Sequence, residues 1–319
     1  MSKTVLVTGA AGFIGFHICQ VLLERGDTVI GVDNFNDYYD QKLKEDRNDL
    51  LERFRTYKLY RADTRNKEII NQIFEKEKID VVCHLAAQAG VRYSVEHPGE
   101  YVQTNIEGTV NIFEAARKFD VKDIVAASSS SVYGNNPVPW SEKQDVNKPI
   151  NPYGATKRAT EILAYTYHHL YDLNITMLRY FTVYGPWGRP DMAYFKFANK
   201  ITNNEPIELN NYGKMKRDFT YIDDVVDGTI KVIDNPKQYE IYNIGNHKSE
   251  ELGYFVELIE KNLGKEAQKN LVPAPPGEFL ENFADIEKAQ KDLGFEPKIS
   301  IEEGLKKFVD WYKEYYKIA

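Results

Sequence analysis

The sequence predicts an α/β fold, a doubly wound parallel sheet followed by a smaller α/β C-terminal domain, and three features of the chain lead there. Short β-branched runs of nearly unbroken apolarity recur through its first half, the texture of strands buried on both faces of a parallel sheet. Amphipathic helical stretches alternate with these runs, as in doubly wound folds. The first strand also passes directly into a glycine-rich turn and then a helix.

The opening reads as strand Thr4–Thr8, glycine turn, helix 13–25 and strand 28–32, a βαβ unit of about 30 residues. Further strands are expected at 56–59, 81–85, 124–128 and 175–179, with helices at Lys67–Lys76, 102–119 and 153–171 between them. This is a Rossmann-type arrangement. After Tyr180 the texture changes, first to Gly185-Pro186-Trp187-Gly188-Arg189-Pro190 and then to shorter mixed elements broken by Pro206, Pro236 and the run 273–277. The expected division is therefore a domain at 1–182 and a smaller one at 183–319. The latter ends in a helix, Ile301–Tyr316, and the chain re-enters the first domain near 217–247.

Composition narrows the function. The 319 residues carry 41 Lys+Arg against 48 Asp+Glu, a net charge of −7, whereas a nucleic-acid binder usually shows a basic patch. No apolar run approaches the roughly 18 residues of a spanning helix, and the start of the chain is too short in apolar residues for a signal-peptide core. Neither membrane nor nucleic acid is expected as a partner, and the cytoplasm is the expected compartment. Cys19 and Cys83 form no C-x-x-C pair and read as small buried apolar residues. The six histidines show no metal-ligand spacing, so no metal is expected.

Gly9, Gly12 and Gly15, with Phe13 and Ile14 between the last two, form G-x-x-G-x-x-G between a strand and a helix. Glycine permits the tight turn and the close approach of a pyrophosphate. The phosphates then meet the unpaired N–H groups and the dipole at the helix N-terminus. Asp33, followed by Asn34, stands 18 residues past Gly15, close to the spacing of the carboxylate that binds the adenosine ribose. A carboxylate there repels a 2′-phosphate, which favours NAD over NADP; the other reading is a strand-end cap. Asp63 could accept from the adenine amino group or be an ordinary loop aspartate. Leu85-Ala86-Ala87 closes a strand with small residues, suiting either a backbone beside a cofactor or plain helix–sheet packing.

Tyr153-Gly154-Ala155-Thr156-Lys157 is Y-x-x-x-K at a helix start, so Tyr153 and Lys157 project from one face. Bringing a tyrosine from a pKa of about 10 to near 7 takes about 4 kcal/mol, which a neighbouring ammonium can help supply. Upstream, Ser128-Ser129-Ser130-Ser131 ends a buried strand, where open α/β sheets bind ligands. A hydroxyl there can hold the oxygen that Tyr153 deprotonates, although a serine run can also be a polar turn.

These motifs, with Val132-Tyr133-Gly134 and Arg217-Asp218-Phe219-Thr220-Tyr221 following in order, resemble the extended short-chain dehydrogenases/reductases and, within them, the nucleotide-sugar epimerases, over essentially the whole chain. The segments 33–40, 86–94 and 181–192 are most similar to the branch that interconverts UDP-glucuronate and UDP-galacturonate. The resemblance implies a tightly held NAD that is not consumed. It also implies a transient 4-keto sugar formed by C4 hydride transfer, with Tyr153 as proton carrier and Lys157 lowering its pKa and holding the nicotinamide ribose. The family's hydroxyl position falls on Ser129, with Ser130 as the alternative. Related dehydratases carry an Asp-Glu pair, and decarboxylases a glutamate, in this motif; here Ser130 and Ser131 stand instead.

A uronate substrate adds a hazard, because its 4-keto form is a β-keto acid. It loses CO2 when the carboxylate bond stands perpendicular to the carbonyl plane. Ser130, Ser131 and Thr182 are candidate hydroxyl donors to hold that carboxylate, and Arg189 a bidentate cation, unless it is only a surface guanidinium. Arg92 is a further candidate. Arg217 matches the family arginine at the UDP phosphates, or pairs with a neighbouring carboxylate. A second phosphate arginine is missing, since Pro275 stands at its place before Pro276-Gly277-Glu278. UDP-glucose/galactose 4-epimerase, UDP-glucuronate decarboxylase and a non-catalytic NAD-binding protein are the rival readings. Relatives of this kind pair two helices per subunit, here 102–119 and 153–171, into a homodimer.

Overall fold

Seven parallel strands make the main sheet: β1 (Thr4–Thr8), β2 (Thr28–Asp33), β3 (Tyr57–Arg61), β4 (Val81–His84), β5 (Asp123–Ser129), β6 (Asn174–Tyr180) and a returning strand, Tyr239–Ile244. The structure, a computed structural model, describes residues 2–274 and 280–318; the expected gap at Pro275 and the Pro276-Gly277-Glu278 motif lie outside them. The order across the sheet is the returning strand, then β6, β5, β4, β1, β2 and β3. Winding reverses between β1 and β4, so a cleft opens at their C-terminal ends.

Alternating residues of one strand serve different cores. On β1, Val5 and Val7 join one apolar cluster while Leu6 joins the other on the opposite face. The apolar runs are unbroken because both sides of the sheet are covered. β3 departs from the expectation of two buried faces. It is the sheet edge, and Tyr57, Leu59 and Tyr60 are only half-buried while Lys58 and Arg61 are exposed.

Two helical segments also differ from the expected outline. The stretch 102–119 is a π-helix, Val102–Glu107, leading into an α-helix, Gly108–Lys118. The wider turn seats Asn105, which accepts from Gln88 N at 2.8 Å and donates to Gln88 O at 3.1 Å and Thr156 Oγ1 at 3.0 Å. Such π segments collect at functional sites. Between β2 and β3 lies a helix that apolar periodicity does not disclose, Gln41–Leu51, with Asp40 capping it through Lys42 N at 2.9 Å. Its inner face carries Lys44, Arg47 and Asn48 beside Leu43 and Leu51.

The returning strand pairs with β6, and the preceding helix, Ile222–Asp234, packs against the glycine-turn helix α1 (Phe13–Glu24). The remaining C-terminal residues add the helices Leu252–Leu263 and Ile301–Tyr316. Ile301–Tyr316 presents Trp311 and Tyr315 to Trp187, with ring centroids 5.2 Å apart in each case. Cys19 and Cys83 are free and fully buried, as expected.

Candidate active site

The cleft has a volume of about 630 Å³. Gly9, Gly12, Phe13, Ile14 and Gly15 line one wall. Gly9 has φ +72°, and a Cβ there would meet Ala86 N at 3.0 Å. At Gly15 a Cβ would stand 2.0 Å from Gly9 O. The turn must therefore be bare backbone, and α1 starts from it with no side-chain cap, leaving the helix end to an anion.

Asp33, at the end of β2, is 7% exposed. Its carboxylate accepts from Phe35 N at 2.8 Å and Ala11 N at 3.1 Å, so it is fixed and still borders the cleft. Burial raises its pKa, while Lys44, those backbone bonds and Arg47 pull the other way. Lys44, nearly buried, donates to Asn36 O at 2.8 Å. Asp63 lines the cleft but is already engaged by Asn34 Nδ2 at 2.8 Å and by Arg65. Leu85 and Ala86 have their N–H groups bound by Thr8 Oγ1, each at 3.1 Å. This pins the Leu85-Ala86-Ala87 backbone beside the glycine turn. Next to it Gln88, 5% exposed, keeps its Nε2 buried without a hydrogen-bond partner among the described residues. A bare helix N-terminus, a fixed ribose-type carboxylate and an orphaned amide in one cleft fit NAD.

On the other side of the cleft the helix Pro152–Tyr171 begins at Asn151, whose side chain caps Gly154 N at 2.8 Å. The cap fixes the first turn, which carries Tyr153. Lys157, one turn on and 4% exposed, donates to Ala127 O at 2.8 Å. Burial lowers its pKa to about 8, opposed by Glu161. Burial raises the Tyr153 pKa, opposed by a hydrogen bond with Ser129 and by the Arg189 charge. Ser129 and the tyrosine line the same cleft. Ser128 is committed elsewhere, donating to the buried Glu161 at 2.6 Å.

Ser130, Ser131, Thr182, Arg189, Arg217 and Arg92 all border the same cleft. Arg189 is paired with Asp191, Nε to Oδ1 at 2.9 Å and Nη2 to Oδ2 at 2.5 Å. Arg217 donates to Lys216 O at 2.8 Å, and Arg92 sits on the exposed short helix Val91–Glu96. Sequence reasoning missed Lys44, Gln88, Asp191 and Glu161. Only the ion-pair spacing of Arg189 and Asp191, two residues apart, was there to be found.

A half-buried tyrosine with a serine hydroxyl near it and a lysine one helical turn on, all facing a dinucleotide cleft, can move a proton on and off a carbinol oxygen. The class of protein this defines is the NAD-dependent short-chain dehydrogenase/reductase. Within it, the chain belongs to the NAD dependent epimerase/dehydratase family, whose model matches residues 5–245. It is 47% identical to the UDP-glucuronate 4-epimerase of Thermodesulfobacterium geofontis, covering 97% of this chain and 96% of that one. UDP-glucuronate 4-epimerase 4 of Arabidopsis thaliana is 46% identical, over 98% of this chain and 76% of the plant protein. The crystal structure of UDP-glucuronic acid 4-epimerase from Bacillus cereus with UDP-glucuronic acid and NAD superimposes with a TM-score of 0.92 at 37% identity, covering 98% of this chain and 100% of that one.

Proposed function

We propose that this chain is an NAD-dependent UDP-glucuronate 4-epimerase, interconverting UDP-glucuronate and UDP-galacturonate. The observation that carries the reading is that Tyr153 and Ser129 line one cleft whose next positions are the hydroxyls Ser130 and Ser131. Losing water from the sugar would need an acid and a base there. The activities named for the Thermodesulfobacterium and Arabidopsis relatives support it, as do the ligands of the Bacillus structure.

When bound, NAD supplies the acceptor and later the donor for the C4 hydrogen. Tyr153 takes the proton of the 4-hydroxyl and returns it after the sugar has turned its other face. Ser129 holds the oxygen during both transfers. Ser129 and the Arg189 charge oppose the burial that holds the Tyr153 proton, and Lys157, still largely charged at neutral pH, is the further cation proposed to lower it. Gly9, Gly12, Phe13, Ile14 and Gly15 take the dinucleotide phosphates. Asp33 and Asn34 take the adenosine ribose, Asp63 the adenine side and Leu85, Ala86 and Ala87 the nicotinamide side. Ser130, Ser131, Thr182 and Arg189 hold the carboxylate out of the orientation that loses CO2. Arg189 turns from Asp191 to the substrate carboxylate, which leaves the partly exposed Asp191 carboxylate to water. Arg217 serves the UDP phosphates, and Arg92, on the exposed rim of the cleft, is a further candidate for the carboxylate.

Incubation with UDP-glucuronate should yield UDP-galacturonate with no CO2. A UDP-pentose product, or turnover of UDP-galactose alone, overturns the reading.

The enzyme is further proposed to be a cytoplasmic homodimer with domains at 1–182 and 183–319. Buried free Cys19 and Cys83 suit a reducing compartment, and no helix among the described residues is long and apolar enough to cross a membrane. The returning strand Tyr239–Ile244 supports the re-entry of the chain near 217–247. Val95, Val102, Ile162, Tyr165 and Leu170 are exposed, at 65%, 51%, 51%, 55% and 59%. They lie on the segments from Val91 to Glu107 and on Pro152–Tyr171, the face a second copy would cover. Light scattering should give a dimer mass, and Ile162→Glu with Tyr165→Glu should give the monomer. A wild-type monomer at micromolar concentration refutes the dimer.

A further inference from the structure

The loop that carries Arg189 is fastened to the dinucleotide turn by side chains to which neither the motifs nor the proposed chemistry assigns a role. Arg47 is fully buried. Its Nε donates to Trp187 O at 3.0 Å, its Nη2 to Gly188 O at 3.1 Å, and its Nη1 to Ala11 O at 2.9 Å and Tyr39 Oη at 2.9 Å. Those acceptors are neutral, three of them backbone carbonyls, so the hydrogen bonds of the guanidinium join two backbone segments. One is the glycine turn, through Ala11; the other is the pair of residues immediately before Arg189. From α1, His17 Nε2 donates to Pro186 O at 3.0 Å. Burial takes the His17 pKa down to about 4, so the ring is neutral and makes this bond as its Nε2–H tautomer. Phe16 lies 5.6 Å from Trp187, ring to ring. Trp187 itself is held at φ +58°, a conformation unfavourable for a bulky residue unless its surroundings enforce it.

Three consecutive carbonyls, 186 to 188, are thus held from α1 and from Gln41–Leu51, the first of which begins at the phosphate-binding turn. We propose that Arg47, with His17, is the positioning residue that sets the register of the Arg189 loop against the dinucleotide turn, making recognition of the substrate carboxylate depend on the NAD-binding turn. The inference rests on the reading that Arg189 meets the uronate carboxylate. Only the planar fork of arginine spans both segments at once; a lysine places one point charge and can reach one of them.

The test compares the binding of UDP-glucuronate and UDP-glucose to the NAD-loaded protein by calorimetry, for Arg47→Lys, Arg47→Met, His17→Leu and Arg189→Gln. Bound NAD content and melting temperature are measured alongside. For Arg47→Lys and His17→Leu, UDP-glucuronate should bind about tenfold more weakly, UDP-glucose should change by less than about twofold, and a UDP-pentose should appear among the products. A general loosening of the fold would weaken both nucleotides equally. If Arg47→Met does not fold, the other two variants carry the test. Equal loss for both nucleotides, or no loss, while Arg189→Gln loses the preference for UDP-glucuronate, overturns the clasp and leaves the Arg189 reading standing. If Arg189→Gln also binds UDP-glucuronate normally, that reading falls and the proposal falls with it.

Discussion

Tyr153→Phe should leave a folded, NAD-loaded protein whose turnover of UDP-glucuronate is lower by roughly 10³-fold, within the range set by loss of a general acid–base. The substitution removes one oxygen and keeps the ring, which packs edge-on against Tyr101 at 6.0 Å and 73°, so shape in the cleft is preserved. Neither Ser129 nor Lys157 is placed to take over the proton. Ser129 Oγ already accepts from Ser131 N at 3.1 Å, and a serine hydroxyl is a poorer acid than a phenol. Lys157 is directed to Ala127 O. The loss should fall on kcat with KM little changed, because the tyrosine acts in the transition state rather than in ground-state binding. Single-turnover assays together with the NAD content of the purified variant check this. Unchanged kcat with NAD in place refutes the role of Tyr153.

The parts of this molecule that were legible in its sequence share a physical reason. A strand covered on both faces has no choice but apolar residues, so β1, β2, β4, β5 and β6 stand out. A turn pressed against Ala86 and Gly9 O admits only glycine, so the triplet stands out as well. Tyr153 and Lys157 are visible because a helix fixes their spacing. What stayed hidden is charge in the interior. Lys44, Arg47 and Glu161 are buried, but a charged residue in a polar-looking stretch reads as solvated surface, and the acceptors of Arg47 are carbonyls, which a sequence does not display. Arg189 was visible as a cation, whereas its engagement by Asp191 follows from a loop conformation. Gln88 and the π segment depend on Asn105 joining two elements 17 residues apart, which periodicity cannot express.

Glu161→Ala should cost the fold about 3–5 kcal/mol, the range for leaving a buried partner charge uncompensated, and lower the melting temperature by on the order of 5–10 °C. Glu161 is fully buried. Its Oε1 accepts from Ser128 Oγ at 2.6 Å and Arg179 Nε at 2.8 Å, and its Oε2 from Arg179 Nη2 at 2.8 Å and Arg158 Nη1 at 3.1 Å. Arg179 continues to Tyr133 Oη at 2.9 Å, which donates to Asn243 Oδ1 at 2.7 Å. One carboxylate therefore joins the Tyr153 helix, the serine end of β5, strand β6 and, through Tyr133, the returning strand. Burial works against the Arg179 charge, yet the bonds to Glu161 leave its pKa above the ordinary guanidinium value. Removing both charges separates the two roles of Glu161. Glu161→Leu with Arg179→Met should recover most of the lost stability, since an apolar pair of similar volume avoids the desolvation cost. It should not recover kcat, because Ser128 loses its acceptor and Ser129, the next residue, loses its fixed placement against Tyr153. Thermal unfolding and steady-state kinetics on both variants test this: a Glu161→Ala melting temperature within about 1 °C of wild type, or full kcat in the double variant, refutes the placement role of Glu161.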